Sequence, residues 1–197
     1  MDIENATQEL KVIRQLMERP VRYSSMSGAA GVLAGAFALA GAVVDRLLGH
    51  QDTLVLTSII WGAVFCLAAA GDILLTRARE KRMGMPFWTS IKRRMLMTIL
   101  PPFIVGGAMT LALLDWHPVP YSHLSLVPAL WMVFYGLALW QAGDFSIAEV
   151  RGMGACFILA APLTATFCQG WPALAMAITF GGFHLVYGTV VWIRHGG

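Results

Sequence analysis

Charged residues are scarce in this sequence. Only 13% of its 197 residues are Asp, Glu, Lys or Arg, whereas soluble domains average about 25%. Hydrophobic residues make up 57% of the chain, and its mean hydropathy is +0.66. This composition excludes an ordinary soluble domain and predicts an integral membrane protein.

Cysteine is rare too, and the motifs of common enzymes are absent. The three cysteines, Cys66, Cys156 and Cys168, lie in apolar segments and give neither a disulfide framework nor a metal-ligand spacing. The Walker, Rossmann and H-E-x-x-H patterns do not occur. The sequence therefore offers no catalytic residues, no metal site and no cofactor, and it favours a non-enzymatic protein.

Long uncharged stretches indicate how the chain crosses the bilayer. A helix needs roughly 20 apolar residues to span the hydrocarbon core. Six spans are predicted, at residues 25–47, 53–75, 95–114, 123–142, 150–168 and 172–193. The Gln-Gly-Trp-Pro turn at 169–172 separates the last two, because Pro172 suits the first turn of a new helix. The predicted fold class is all-α, a polytopic bundle of six transmembrane helices over residues 25–197, arranged as three hairpins.

Basic residues are distributed unevenly between the two ends of these spans. If the N-terminus is inside, 13 of the 14 Lys and Arg residues fall on the cytoplasmic side, and only Arg46 falls outside. This is the bias that the positive-inside rule describes. It predicts a multi-pass protein of the cell inner membrane with both termini cytoplasmic. The net charge of +3 then reflects topology and does not indicate nucleic-acid binding.

Residues 1–24 are predicted to form a cytoplasmic amphipathic helix and a linker. Apolar residues recur at helical spacing from Ile3 to Leu16, and Pro20 ends the helix near residue 19. The helix could lie on the membrane surface or pack under the bundle. The alternative is a docking helix for a cytosolic protein or a second subunit.

The longest predicted cytoplasmic loop, residues 77–94, carries seven basic residues and one acidic residue. Its two basic clusters flank Pro86, Phe87 and Trp88. The simpler interpretation is that the loop determines topology. The alternative is that it specifically recognises anionic lipids or a partner.

Small residues line one face of the first predicted span. Ala30, Ala34, Ala38 and Ala42 share a row, with Gly31 and Gly35 beside it. Small residues let helix backbones approach closely in a bilayer, where packing has no hydrophobic driving force. The first span is therefore expected to be central to the bundle or to a homodimer interface.

The last predicted span contains an ionisable residue at mid-depth. His184 lies within "FGGFHLVYG", Tyr187 follows three residues later on the same helical face, and Tyr135 lies at a similar depth in the fourth span. One hypothesis places these three residues in the wall of a ligand pocket between spans four, five and six. The alternative is structural, with His184 bonded to Tyr135 or to a freed backbone carbonyl.

Several segments resemble the landmarks of a known family. "IRQLMERPVRYSSMSGAAGVLAG", "FYGLALW", "EVRGMG" and "FGGFHLVYG" together span most of the chain. They are similar to segments of a family of uncharacterised bacterial six-helix inner-membrane proteins with an F-G-x-x-H-x-x-Y-G pattern in the last helix. Pro20 departs from the small polar residue expected there. The resemblance implies the fold and topology given above, and no activity.

Two classes of function remain open from the sequence. The first is non-enzymatic binding or movement of a small amphiphile through a pocket that includes His184. The second is a membrane-anchored regulatory or scaffold protein that works through its N-terminal helix and the basic loop at 77–94.

Overall fold

The computed structural model describes residues 27–48, 54–115 and 126–195. It contains helices and no strands within these ranges. The helices are α1 (Gly28–Leu48), α2 (Leu54–Arg82), α3 (Ser90–Asp115), α4 (Leu126–Ala142), α5 (Ala148–Phe167) and α6 (Pro172–His195). The predicted helix at residues 3–19 lies outside the described residues, as does the rest of the segment 1–24.

Five of these helices, all except α4, are long and apolar enough to cross a membrane. Helix α4 is also apolar but has only 17 residues. Large hydrophobic side chains are exposed along the bundle, among them Leu47, Ile59, Leu74, Phe167 and Ile193. Such a surface would be unfavourable in water and is suitable for lipid. The predictions of an all-helical fold and of a membrane protein are therefore confirmed.

Helices α2 and α3 extend well past their predicted ends. The sequence placed the second span at 53–75 and the third at 95–114, but α2 continues to Arg82 and α3 begins at Ser90. The boundaries differ because the thickness of the hydrocarbon core limits the apolar segment but does not limit the helix. The connection between the two helices is therefore only residues 83–89. We call this end of the bundle the loop end, and the opposite end, which carries residues 168–171, the turn end.

Helix α1 lies at the centre of the bundle, which was one of the two positions expected for the first span. It packs against α2 on one side and against α6 on the other, while α4 packs against α3 and α5. By contrast, α2 and α3 touch each other little, and α6 contacts α1 far more extensively than it contacts α5. Consecutive helices therefore do not all pair closely, and a gap is left between α2 and α3.

Glycines allow the close approach of α1 and α6. A Cβ atom added at Gly31 would lie 2.8 Å from the Cα of Gly188, and one added at Gly35 would lie 2.9 Å from the carbonyl oxygen of Gly181. The small-residue face of α1 is thus occupied within the chain. A homodimer through the first span stays a prediction, and it would need another face of α1.

Helices α4 and α5 make a second close pair. A Cβ atom at Gly154 would lie 2.6 Å from the backbone nitrogen of Trp140, so the two backbones are nearly in contact. Beside this crossing, Met132 and Phe157 are fully buried, and Met176 of α6 is 2% exposed. This core fixes α4, α5 and α6 around the residues that the sequence singled out.

Candidate functional site

His184 is held at the point where α6 changes its winding. Residues Ala177–Phe183 form a π-helical segment, and ordinary α-helix resumes at His184. Such wide turns are uncommon and occur often at functional sites. The imidazole of His184 is buried, with 8% of the residue exposed. The π-helical segment therefore orients this side chain toward α4.

Both ring nitrogens of His184 have partners. Nδ1 lies 2.8 Å from the carbonyl oxygen of Phe180, and Nε2 lies 2.6 Å from Oη of Tyr135. A carbonyl can only accept, so Nδ1 carries the proton and donates it. In the neutral ring Nε2 is then an acceptor, and the Tyr135 hydroxyl donates to it. The hydrogen bond to Tyr135 that the sequence suggested is confirmed, and the backbone carbonyl is a second partner.

Aromatic rings surround this pair on the side of α5 and α6. The ring of Phe157 lies 4.9 Å from that of Tyr135 and 5.7 Å from that of His184, measured between centroids. Phe180 lies 4.8 Å from Phe157 and 5.3 Å from Tyr135. These tilted and edge-on contacts are the favourable geometry for aromatic pairs. Helix α5 therefore packs solidly behind the His184–Tyr135 pair.

A cavity of about 560 Å³ lies on the other side of the pair. Its wall is formed by five helices, α1, α2, α3, α4 and α6, and lies in the half of the bundle nearer the turn end. The lining residues are Ala34, Ala38, Ser58, Trp61, Gly62, Val64, Phe65, Ala68, Pro102, Phe103, Gly106, Gly107, Thr110, Leu111, Trp131, Phe134, Tyr135, Met176, Phe180 and His184. None of the lining residues within the described ranges is Asp, Glu, Lys or Arg.

The cavity opens sideways, between α2 and α3. Its lining residues on these two helices include Gly62, Phe65, Gly107 and Leu111, all of which are exposed on the surface of the bundle. The backbones of the two helices make few contacts, and the rings of Phe65 and Phe103, with centroids 5.4 Å apart, reach across the gap between them. In a bilayer this opening would face the acyl chains.

The structure brings two of the three predicted site residues to the cavity. His184 and Tyr135 lie in its wall, whereas Tyr187 does not and packs among core residues instead. The cavity also lies elsewhere than expected. The hypothesis placed it between spans four, five and six, but α5 contributes no lining residue within the described part of the chain, and α1, α2 and α3 do. Whether these residues bind a ligand stays a prediction.

Sequence reasoning missed the polar side chains on the other walls. The Trp61 ring nitrogen donates to Asp45 over 3.2 Å, and Thr57 donates to the other oxygen of the same carboxylate over 3.0 Å. On the opposite wall, the Trp131 ring nitrogen donates to the Thr110 hydroxyl over 2.8 Å. These bonds fix two tryptophans that line the cavity. Asp45 was the sequence feature that could have indicated them. A carboxylate at the end of an apolar span needs hydrogen-bond donors when it is buried.

The described part of the chain contains no candidate metal site. No group of three or more His, Cys, Asp or Glu residues gathers there with suitable geometry. Asp45 is instead held by Thr57 and Trp61. His117 and His123 lie outside the described residues, and so does the side chain of Asp115.

At the loop end, one basic residue of the 77–94 segment is buried. Lys92 forms an ion pair with Glu80 over 2.6 Å, and the two side chains are 10% and 1% exposed. The Lys92 ammonium also lies 4.2 Å from the ring centroid of Phe87. This pair joins α2 to α3 beside the short connection at residues 83–89. Lys92 is therefore part of the core, although Arg93 and Arg94 beside it are exposed.

No protein-family model, curated protein or solved structure matches this chain. The resemblance to a family of bacterial six-helix inner-membrane proteins therefore stays a prediction, and the functional argument depends on the cavity itself.

Proposed function

We propose that the protein binds a small amphiphile, or moves it, and that the ligand enters the cavity sideways from the bilayer. The observation that carries this proposal is the apolar cavity of about 560 Å³ that opens between α2 and α3. Ligand sites are usually apolar clefts of about 300–1,000 Å³ with a few converging polar groups. The His184–Tyr135 pair is such a group, and an opening toward lipid favours a ligand that is already dissolved in the membrane.

The proposal includes the topology predicted from the sequence. We take all six helices as spans, with α4 as the shortest, and consecutive spans as hairpins in the sense of connectivity. The basic bias places the loop end in the cytoplasm and the cavity in the outer half of a cell inner membrane. Met85 and Gly170 lie at the two ends, so maleimide added from outside should label Gly170→Cys and not Met85→Cys in a protein without its native cysteines. The reverse pattern would overturn the orientation.

A substitution at the mouth of the cavity tests the binding function. Gly62 and Gly107 line the cavity, and a Cβ atom added at either position meets no atom within 4 Å. Gly62→Phe and Gly107→Phe should therefore block the entrance without disturbing the packing. Mass spectrometry of lipid extracts should show that an amphiphile retained by the wild-type protein is lost from both variants.

Gly152→Phe is the matched control for that experiment. Gly152 also has open space at its Cβ position, but it lies on α5, away from the cavity. This variant should retain the wild-type amphiphile. Equal retention by all four proteins, or equal loss from all three variants, would contradict the proposed binding site.

The regulatory or scaffold function remains the second proposal from the sequence. It would act through residues 1–24, which lie outside the described residues, and through the basic loop. In the structure Lys92 is engaged with Glu80, and Arg79 donates to the carbonyl oxygen of His195 over 2.6 Å. Part of the basic segment thus holds the bundle together, and this favours the cavity as the functional feature.

A further inference from the structure

The hydrogen-bonding groups in the cavity wall are nearly all engaged as donors. His184 donates through Nδ1 to Phe180, and Tyr135 donates to His184. The Trp61 ring N–H is bound by Asp45, which lies behind the wall. These three side chains therefore present no free N–H or O–H to a ligand.

The hydrogen-bond donors on the opposite wall are engaged as well. The Trp131 ring N–H donates to Thr110, and the Thr110 hydroxyl donates to the carbonyl oxygen of Gly106 over 2.9 Å. Ser58 is the one lining hydroxyl in the described residues without a hydrogen-bond partner, and its oxygen is buried in the wall. The wall can still accept hydrogen bonds. A hydroxyl oxygen has two lone pairs, and the oxygens of Tyr135 and Thr110 each have at least one lone pair that no hydrogen bond uses.

From this pattern we infer that the ligand is an uncharged amphiphile whose polar end donates a hydrogen bond, as a long-chain alcohol does. This inference rests on the proposed binding function and adds the chemical class of the ligand. An acceptor-only head, such as a ketone, would find no exposed donor on the wall, because the unpartnered Ser58 oxygen is buried, and it would lose its hydrogen bonds to water.

The charge of the ligand follows from the lining. A buried ammonium group needs a paired carboxylate, since desolvation of an unpaired ion costs several kcal/mol, and no carboxylate lies in the wall within the described residues. Asp45 is held behind Trp61. Asp72 lies one helical turn beyond Ala68 on α2, outside the lining.

Three probes with alkyl chains of similar length separate these chemistries. Native mass spectrometry of the purified full-length protein should measure binding of octadecan-1-ol, octadecan-2-one and octadecyltrimethylammonium. We expect the alcohol to bind about 5-fold more tightly than the ketone, which is the effect of one neutral hydrogen bond. The ammonium compound should bind least tightly.

Two substitutions of the hydrogen-bonded pair should have different effects. His184→Phe removes the acceptor of the Tyr135 hydroxyl, which becomes free to donate, so the ketone should gain affinity and the preference for alcohol should disappear. Tyr135→Phe leaves Nε2 of His184 as a free acceptor, so the preference should remain. Tyr187→Phe changes a tyrosine outside the cavity wall and should leave both affinities unchanged.

Each other outcome overturns a defined part of the inference. Equal binding of alcohol and ketone by the wild-type protein, abolished in Gly62→Phe, would refute the donor requirement and leave the binding function intact. This comparison needs no folded variant of His184. Tighter binding of the ammonium compound would refute the uncharged class and implicate Asp72. Binding of none of the three probes would refute both the inference and the proposed function.

Discussion

At the scale of single residues, the polar side chains that matter are those with complete sets of partners. His184 has a hydrogen bond at each ring nitrogen, and Asp45 receives one at each carboxylate oxygen. Groups that are buried away from water must be satisfied in this way. The depth of His184 and Tyr135 in their spans predicted their contact. The pair formed by Glu80 and Lys92 was not predicted, because both residues were read as part of a solvated loop.

Breaking the Glu80–Lys92 pair should destabilise the loop end. Lys92→Met removes one partner of this buried ion pair, a change that typically costs about 3–5 kcal/mol. The thermal unfolding midpoint in detergent should therefore fall. Lys81→Met removes an exposed charge of the same segment and is the matched control.

The double variant Glu80→Gln/Lys92→Met should recover part of this loss, since it removes both charges of the buried pair. Equal unfolding midpoints for Lys92→Met and Lys81→Met would show that the pair contributes nothing to stability.

At the scale of helices, packing is set by the glycines more than by sequence order. The hydropathy pattern located the apolar helices correctly, because the apolar residues that indicate a helix all lie within that helix. It did not locate their neighbours, because the contact of α1 with α6 joins segments more than 100 residues apart in the chain. The small residues of α1 indicated a close partner without identifying it. For the same reason the cavity was expected beside α5 and lies beside α2 and α3.

The crossing of α1 and α6 should fail when one glycine gains a methyl group. A Cβ atom at Gly188 would overlap the backbone of α1, with the carbonyl carbon of Gly31 2.7 Å away. Because backbone atoms cannot move aside, Gly188→Ala should destabilise the protein by about 1–3 kcal/mol, the usual cost of overpacking. Chemical denaturation in mixed micelles would measure the change.

Gly182 on the same helix is the control, since a Cβ atom there meets nothing within 4 Å. Gly182→Ala should leave stability unchanged or raise it slightly, because alanine favours helix over glycine by up to about 1 kcal/mol. Equal effects of the two substitutions would contradict the account of the α1–α6 contact.

At the scale of the whole molecule, the bundle is closed at one end and open on one side. The Glu80–Lys92 pair holds α2 and α3 together at the loop end, and the rings of Phe65 and Phe103 meet across the gap between them beside the cavity. The His184–Tyr135 pair forms the back of the cavity, supported by α5. Tyr187 shares a helical face with His184, but it lies one turn nearer the loop end and packs against the core there. The helical period predicted the shared face, and it could not predict how far along α6 the cavity extends.

An amphiphile in the cavity between α2 and α3 can be located directly. Crystals of the full-length protein grown with octadecan-1-ol that carries bromine in mid-chain would locate the ligand through the anomalous signal of bromine. The account predicts one dominant peak inside the cavity, close to Phe65 and Phe103, with the hydroxyl near Tyr135 or Thr110. Bromine peaks confined to the outer apolar surface, with the cavity free of ligand density, would contradict it.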